Sequence, residues 1–158
     1  MRLRTIAGSI AVLTQGLIAG IFIAILATQP ARISLDTSSF VQHQQAIHIV
    51  FGRMMPPLVV AAILAGIVWL FLLRKEFRSA GFLLAVVSTI SAIGAFALTV
   101  TVNFPLNDLL MTWNAASPPA NVKELWMPWE TAHIIRTVIY IVGFISAIVG
   151  NSMSRNEE

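Results

Sequence analysis

Glu130, His133, Arg136 and Thr137 punctuate an apolar stretch, Trp129-Glu130-Thr131-Ala132-His133-Ile134-Ile135-Arg136-Thr137. On a helix this spacing reads as one polar stripe. Histidine titrates near neutral pH and is the commonest acid–base side chain, so His133 is the first candidate for a general base or a ligand. The plainer alternative is a histidine satisfied by a neighbouring backbone group or carboxylate. Arg136 lies about two turns inside the stretch, where a charge is costly and usually faces a partner or a wet cavity. Glu130 and Asp108 are the expected counter-charges, unless Arg136 only pins a connection by donating to its carbonyls. Glu130-x-x-His133 also has the Glu-x-x-His spacing of carboxylate di-metal bundles, although a second copy is missing.

Other polar residues fall in the same parts of the chain. His43 and His48 are five apart, well over a quarter-turn on a helix, so they do not form an obvious chelating pair. His48 is the deeper of the two and a candidate for substrate or metal, with Arg53 as a further substrate contact; His43 reads as solvated. Asn103 and Asn107 flank Pro105, and their amides either satisfy backbone groups freed by the proline or point into a cavity. If a metal or haem is present, His48, His133 and Glu130 are its expected ligands, a set suited to iron, copper or zinc. No cofactor is required by the pattern.

These residues need elements to position them, and the composition says what kind. Of 158 residues, 57% are hydrophobic and 11% charged, against about a quarter charged in a soluble domain. The net charge of +3 is too small to suggest nucleic acid, and the absence of cysteine excludes disulfides, thiolate nucleophiles and Cys-ligated metals. Four apolar runs approach the roughly 20 helical residues needed to cross a bilayer. They cover 5–27, 57–73, 79–102 and 129–150, the second being slightly short and extended upstream through Ile47–Met55. Helices are required because lipid cannot hydrogen-bond a bare backbone. The first run exceeds a signal-peptide core of roughly 7–15 residues and is expected to be retained.

The predicted fold is therefore all-α, one domain over 1–158, a four-transmembrane-helix bundle. Arg2, Arg4, Arg74, Lys75, Arg78 and Arg155 fall on one side, which the positive-inside rule makes cytoplasmic. Both termini are then expected in the cytoplasm, with the chain multi-pass in the inner (plasma) membrane. The two outer connections are long and are expected to carry short interfacial helices, one over Phe40–Arg53 ending at Pro56-Pro57 and one over Pro105–Trp113. Trp113, Trp126 and Trp129 suit the outer interface. Gly16 and Gly20, spaced GxxxG, permit close helix approach within the chain or, less expectedly, in a homo-oligomer. Membrane lipid and an apolar small molecule are the expected partners.

Val102-Asn103-Phe104-Pro105-Leu106-Asn107, then Trp126 and Trp129, then His133-x-x-Arg136-Thr137, with the glycine-bearing first span, resembles the anthrone-oxygenase-like membrane family. Glu130 stands where that resemblance would put an asparagine. The resemblance implies oxidation of an anthrone-type polyketide to a quinone by O2, without a cofactor. His133 would then be the base, Arg136, Asn103 and Asn107 would stabilise the enolate oxygen, and Glu130, Trp126 and Trp129 would belong to the same site. A metal- or haem-binding membrane protein, and a non-enzymatic subunit with a structural polar cluster, are the competing expectations.

Overall fold

The computed structural model describes residues 3–156, with side chains through residue 154. Arg2 and the Arg155 side chain, both used above to orient the chain, lie outside the described residues. The described chain is all helix and connection: α1 (Leu3–Ala27), α2 (Gln29–Ser34), α3 (Thr37–Leu73), α4 (Ala80–Leu98), α5 (Phe104–Thr112) and α6 (Val122–Asn156). A short 3-10 turn, Arg74–Glu76, follows α3, and a π-helical turn, Thr99–Asn103, joins α4 to α5. Four helical stretches among these residues are long and apolar enough to cross a membrane.

Two caps mark where long helices begin. Asp36 accepts from the Ser39 N–H (3.0 Å) at the start of α3, and Ser79 accepts from the Phe82 N–H (3.1 Å) at the start of α4. Each satisfies a donor that the first helical turn leaves orphaned. The main helices form a ring in which α1 touches α3 and α6, and α4 touches the same two. At one end Arg4 pairs with Glu76 (2.7 Å), tying the start of α1 to the α3–α4 connection.

The seams are lined by small residues, so the backbones come close. Ala11, Ala62, Ala85, Ala92, Ala95 and Ala147 are all fully buried. A Cβ on Gly66 would stand 2.6 Å from Thr89 Oγ1, and one on Gly16 would stand 2.7 Å from the Phe144 ring. Gly16 thus packs within the chain, whereas Gly20 faces open space. One polar tie crosses the ring: the Gln15 amide donates to the carbonyl (3.1 Å) and hydroxyl (2.5 Å) of Ser88. Leucine, isoleucine, valine and phenylalanine populate the outer surface, as a helix bundle in lipid requires.

The prolines do not end their helices, and the upstream extension of the second span through Ile47–Met55 is present. Phe40–Arg53 is the first part of α3, not a separate helix, and α3 runs unbroken through Pro56 and Pro57. Those prolines deprive the carbonyls of Gly52 and Arg53 of their donors. All four residues are exposed, so the gap in the ladder opens where nothing packs. Asn103 likewise does not close its helix. The Phe104 N–H reaches back to the Thr99 carbonyl, five residues away, and this wider turn absorbs Pro105 into the first turn of α5. Such π turns recur at functional sites.

Candidate functional site

At the end of the bundle away from the Arg4–Glu76 pair, all six helices contribute to the wall of a cavity of about 400 Å³. Its walls are largely apolar: Phe22 and Ile25 from α1, Ile47, Phe51, Met55 and Val59 from α3, Phe96 from α4 and Phe104 from α5. Gly52 and Pro56 on one side, and Phe96, Phe104 and Asp108 on the other, are exposed as well as lining it. The mouth therefore lies between α3 and the edge of the continuous α4–α5 stretch. A cavity of this size matches small-molecule sites, which run roughly 300–1,000 Å³.

The polar groups on the wall are few. His48, Asn107, Trp126, Trp129 and Arg136, all expected in the site, line it, joined by Asp108, Arg32, Gln44, Thr99 and Tyr140. His48 is half-buried. Asn107 accepts from the Trp129 indole N–H (2.8 Å), which holds α5 against α6 and leaves the Asn107 amide N–H groups for other partners.

Arg136 is buried and keeps unusual company. Its Nε donates to His133 Nδ1 (3.2 Å) and its Nη1 to Thr99 Oγ1 (3.2 Å) in the π turn. Its guanidinium lies 4.6 Å from the Phe22 ring centre and 5.1 Å from that of Trp129, both favourable cation–π contacts. Neither expected counter-charge pairs with it. Six residues separate Glu130 from Arg136, which puts them roughly 9 Å apart along the helix and about 120° around it. The polar stripe expected from the sequence thus splits into two faces.

Glu130 belongs to the other face. Completely buried, it receives Arg32 Nη1 (2.9 Å), Arg32 Nη2 (3.3 Å) and the Trp126 indole N–H (3.1 Å). Arg32 also donates to Gln44 (3.2 Å) and to the Ile25 carbonyl (3.1 Å). This two-pronged ion pair fastens the α1–α3 connection onto α6 and forms one end of the cavity. Arg32 was not among the residues singled out from the sequence. Its signal was that a glutamate buried in an apolar helix needs a cation, and Arg136 sits on the wrong face.

His133 is fully buried with both ring nitrogens engaged. Nε2 donates to the Phe22 carbonyl (3.1 Å) and Nδ1 accepts from Arg136. The ring stacks on Trp129, 5.1 Å between centres, and is not part of the cavity wall. Asn103 is also off the wall, fully buried, with its amide donating to the Trp129 carbonyl (3.3 Å). Arg53 is exposed and away from the cavity. His48, His133 and Glu130 do not come together: among the described residues no three histidine, aspartate or glutamate side chains form a metal-binding group.

The tryptophans expected at the membrane interface are buried. Trp113, Trp126 and Trp129 pack with Phe40, Val41, Leu110 and Val122. Trp126 and Trp129 stack at 4.9 Å. Gln45 donates to the Leu110 and Trp113 carbonyls (3.0 and 2.9 Å), satisfying the end of α5. Tyr140 went unnoticed in the sequence, though it continues the Arg136 face one turn on.

A family model described as anthrone oxygenase matches residues 44–146, the part of the chain that carries most of the cavity wall. No curated protein and no solved structure matches the chain.

Proposed function

The chain belongs to the anthrone oxygenase family, and on that footing we propose that it oxidises a flat, carbonyl-activated aromatic methylene to the quinone with O2. The observation that carries this reading is Arg136, a buried guanidinium on the wall of a mostly apolar cavity with no carboxylate partner among the described residues. Such a group favours an anion that forms there.

A methylene between two aryl rings, conjugated to a carbonyl, is acidic because its carbanion is an aromatic enolate. His48 is the base, since it stands on the wall with no hydrogen-bond partner among the described residues. His133, whose two nitrogens are spoken for, is a positioning residue that fixes the plane of Arg136. Arg136 and the Asn107 amide face the enolate oxygen. Trp126 and Trp129 supply flat walls, and Asn103 and Glu130 hold those walls in place. The enolate carbon then bonds to O2, and the peroxide so formed loses water. One oxygen atom ends in the new carbonyl and the other in water, whose hydrogens come from the methylene. Four electrons leave the carbon and four enter O2, so no further reductant is needed.

The setting suits a greasy substrate. The mouth between α3 and α4–α5 is flanked by Phe96 and Phe104 at the depth of the apolar helices, giving entry from lipid. We place the protein in the plasma membrane with both termini cytoplasmic, on the basic residues of the N-terminal segment, the α3–α4 connection and the tail. The test is anthrone conversion by nanodisc-embedded protein, followed by quinone absorbance above the protein-free rate. His48→Ala and Arg136→Gln should each lose most of the enzymatic rate and Arg53→Ala should keep it. Full activity in His48→Ala would remove the assigned base.

A further inference from the structure

The cavity holds one more polar group for which the fold provides no use. Tyr140 is 1% exposed, lines the cavity, and its hydroxyl has no hydrogen-bond partner among the described residues. A buried hydroxyl ordinarily finds a partner, and leaving one unmade costs free energy. The nearest polar neighbour by position is Arg136, one turn earlier on the same face of α6. The two side chains are held around a common ring: Arg136 lies over Phe22, and Tyr140 meets Phe22 edge-on with ring centres 5.3 Å apart.

Thr99 does not complete the set. Its hydroxyl accepts from Arg136 and donates to the Ala95 carbonyl (2.9 Å), so it has no proton left to offer a ligand. On this face of α6 the remaining donors are therefore the Tyr140 O–H and the Nη2 of Arg136, which makes no hydrogen bond among the described residues. Both are donors, and one carries an uncompensated positive charge. A ligand that meets both must bring an oxygen acceptor, and the charge balance is met when that oxygen is anionic.

We propose that Arg136 and Tyr140, on one face of α6, supply two donors to an anionic aryl oxygen, an enolate or phenolate, so that the Tyr140 hydroxyl joins the guanidinium and the Asn107 amide there. This rests on the oxygenase reading of the cavity and narrows it. The ligand is an acidic phenol or carbon acid bound as its conjugate base, not merely an apolar molecule. For the reaction, Tyr140 adds a hydrogen bond that strengthens as charge moves onto the oxygen.

The test uses 1,8-dihydroxyanthraquinone, a phenol that is not consumed and whose visible band moves to longer wavelength on ionisation. Nanodisc-embedded protein should bind it and show the ionised band at a pH where the free dye is neutral. Tyr140→Phe keeps the ring against Phe22 and should bind the anion on the order of ten- to a hundredfold more weakly, with the ionised band receding. Arg136→Gln should abolish the band, and Arg136→Lys should restore part of it. A Tyr140→Phe protein with wild-type affinity and an unchanged band would overturn the proposal. The two readings separate cleanly. Tyr140-dependent dye ionisation without anthrone turnover would keep the site and sink the oxygenase reaction. Anthrone turnover with dye binding indifferent to Tyr140 would keep the reaction and sink this site.

Discussion

Replacing Glu130 by Gln keeps the shape of the side chain and removes its charge. In the native protein both carboxylate oxygens are used, by two Arg32 nitrogens and the Trp126 indole, and the pair is 4% and 1% exposed. The glutamine offers one oxygen and turns an amide N–H₂ towards the guanidinium. Arg32 is then a buried cation without a counter-charge. Breaking a buried pair from one side costs about 3–5 kcal/mol, equivalent to roughly a 10²–10⁴-fold rise in the unfolded fraction. Exposed pairs cost about 0–1 kcal/mol, so the two cases are well separated. The assay is reversible denaturation in detergent, followed by helicity. Arg32→Met with Glu130→Leu should recover most of the loss, because an apolar pair of similar volume leaves nothing unpaired. A cost below about 1 kcal/mol, or single-variant costs that merely add in the double variant, would refute the reasoning.

Gly52→Phe should leave stability unchanged and raise KM, measured by anthrone titration, because a Cβ there meets nothing nearer than His48 Cε1 at 4.0 Å yet the residue sits at the mouth. His133→Ala should lower kcat more than it changes KM, and His133→Gln, which can still accept from Arg136, should restore part of it; equal loss in both would contradict a positioning role. Gly66→Ala should destabilise by roughly 1–3 kcal/mol in the same denaturation assay, since Thr89 is held in the way by its own bond to Ala85 (2.8 Å). The Ser39 hydrogen bonds hold the Asp36 carboxyl below its ordinary range. Its contribution to the start of α3 is therefore complete above the unfolded value and lost as pH falls through the folded one. Once exchange is corrected for its intrinsic pH dependence, the protection of Ser38–Phe40 should fall on acidification in wild type and lose that pH dependence in Asp36→Ala.

Four membrane-length apolar helices were legible because bilayer thickness imposes a length that composition alone reveals. The proline positions misled because a proline only removes a donor and adds a clash. Whether the helix stops depends on what surrounds the freed carbonyl, which sequence does not show. At Pro56 the carbonyl of Gly52 opens at an exposed edge, and at Pro105 a π turn takes up the strain. The site was half legible. His48, Asn107, Trp126, Trp129 and Arg136 reach the cavity, because polar groups kept among so many apolar ones have a reason to be there. His133, Asn103 and Glu130 are buried behind the wall and do not line the cavity. Local spacing could not show that Glu130 faces Arg32, 98 residues away, or that Tyr140 extends the Arg136 face into the cavity.

The central claim is that this cavity inserts oxygen from O2 into an aromatic methylene, and isotopically labelled dioxygen tests it most directly. Nanodisc-embedded protein given anthrone under labelled O2 should yield quinone carrying one labelled atom in the new carbonyl, at a rate that falls to the protein-free background in Arg136→Gln. Unlabelled quinone, or a wild-type rate no faster than that of Arg136→Gln, would contradict the account.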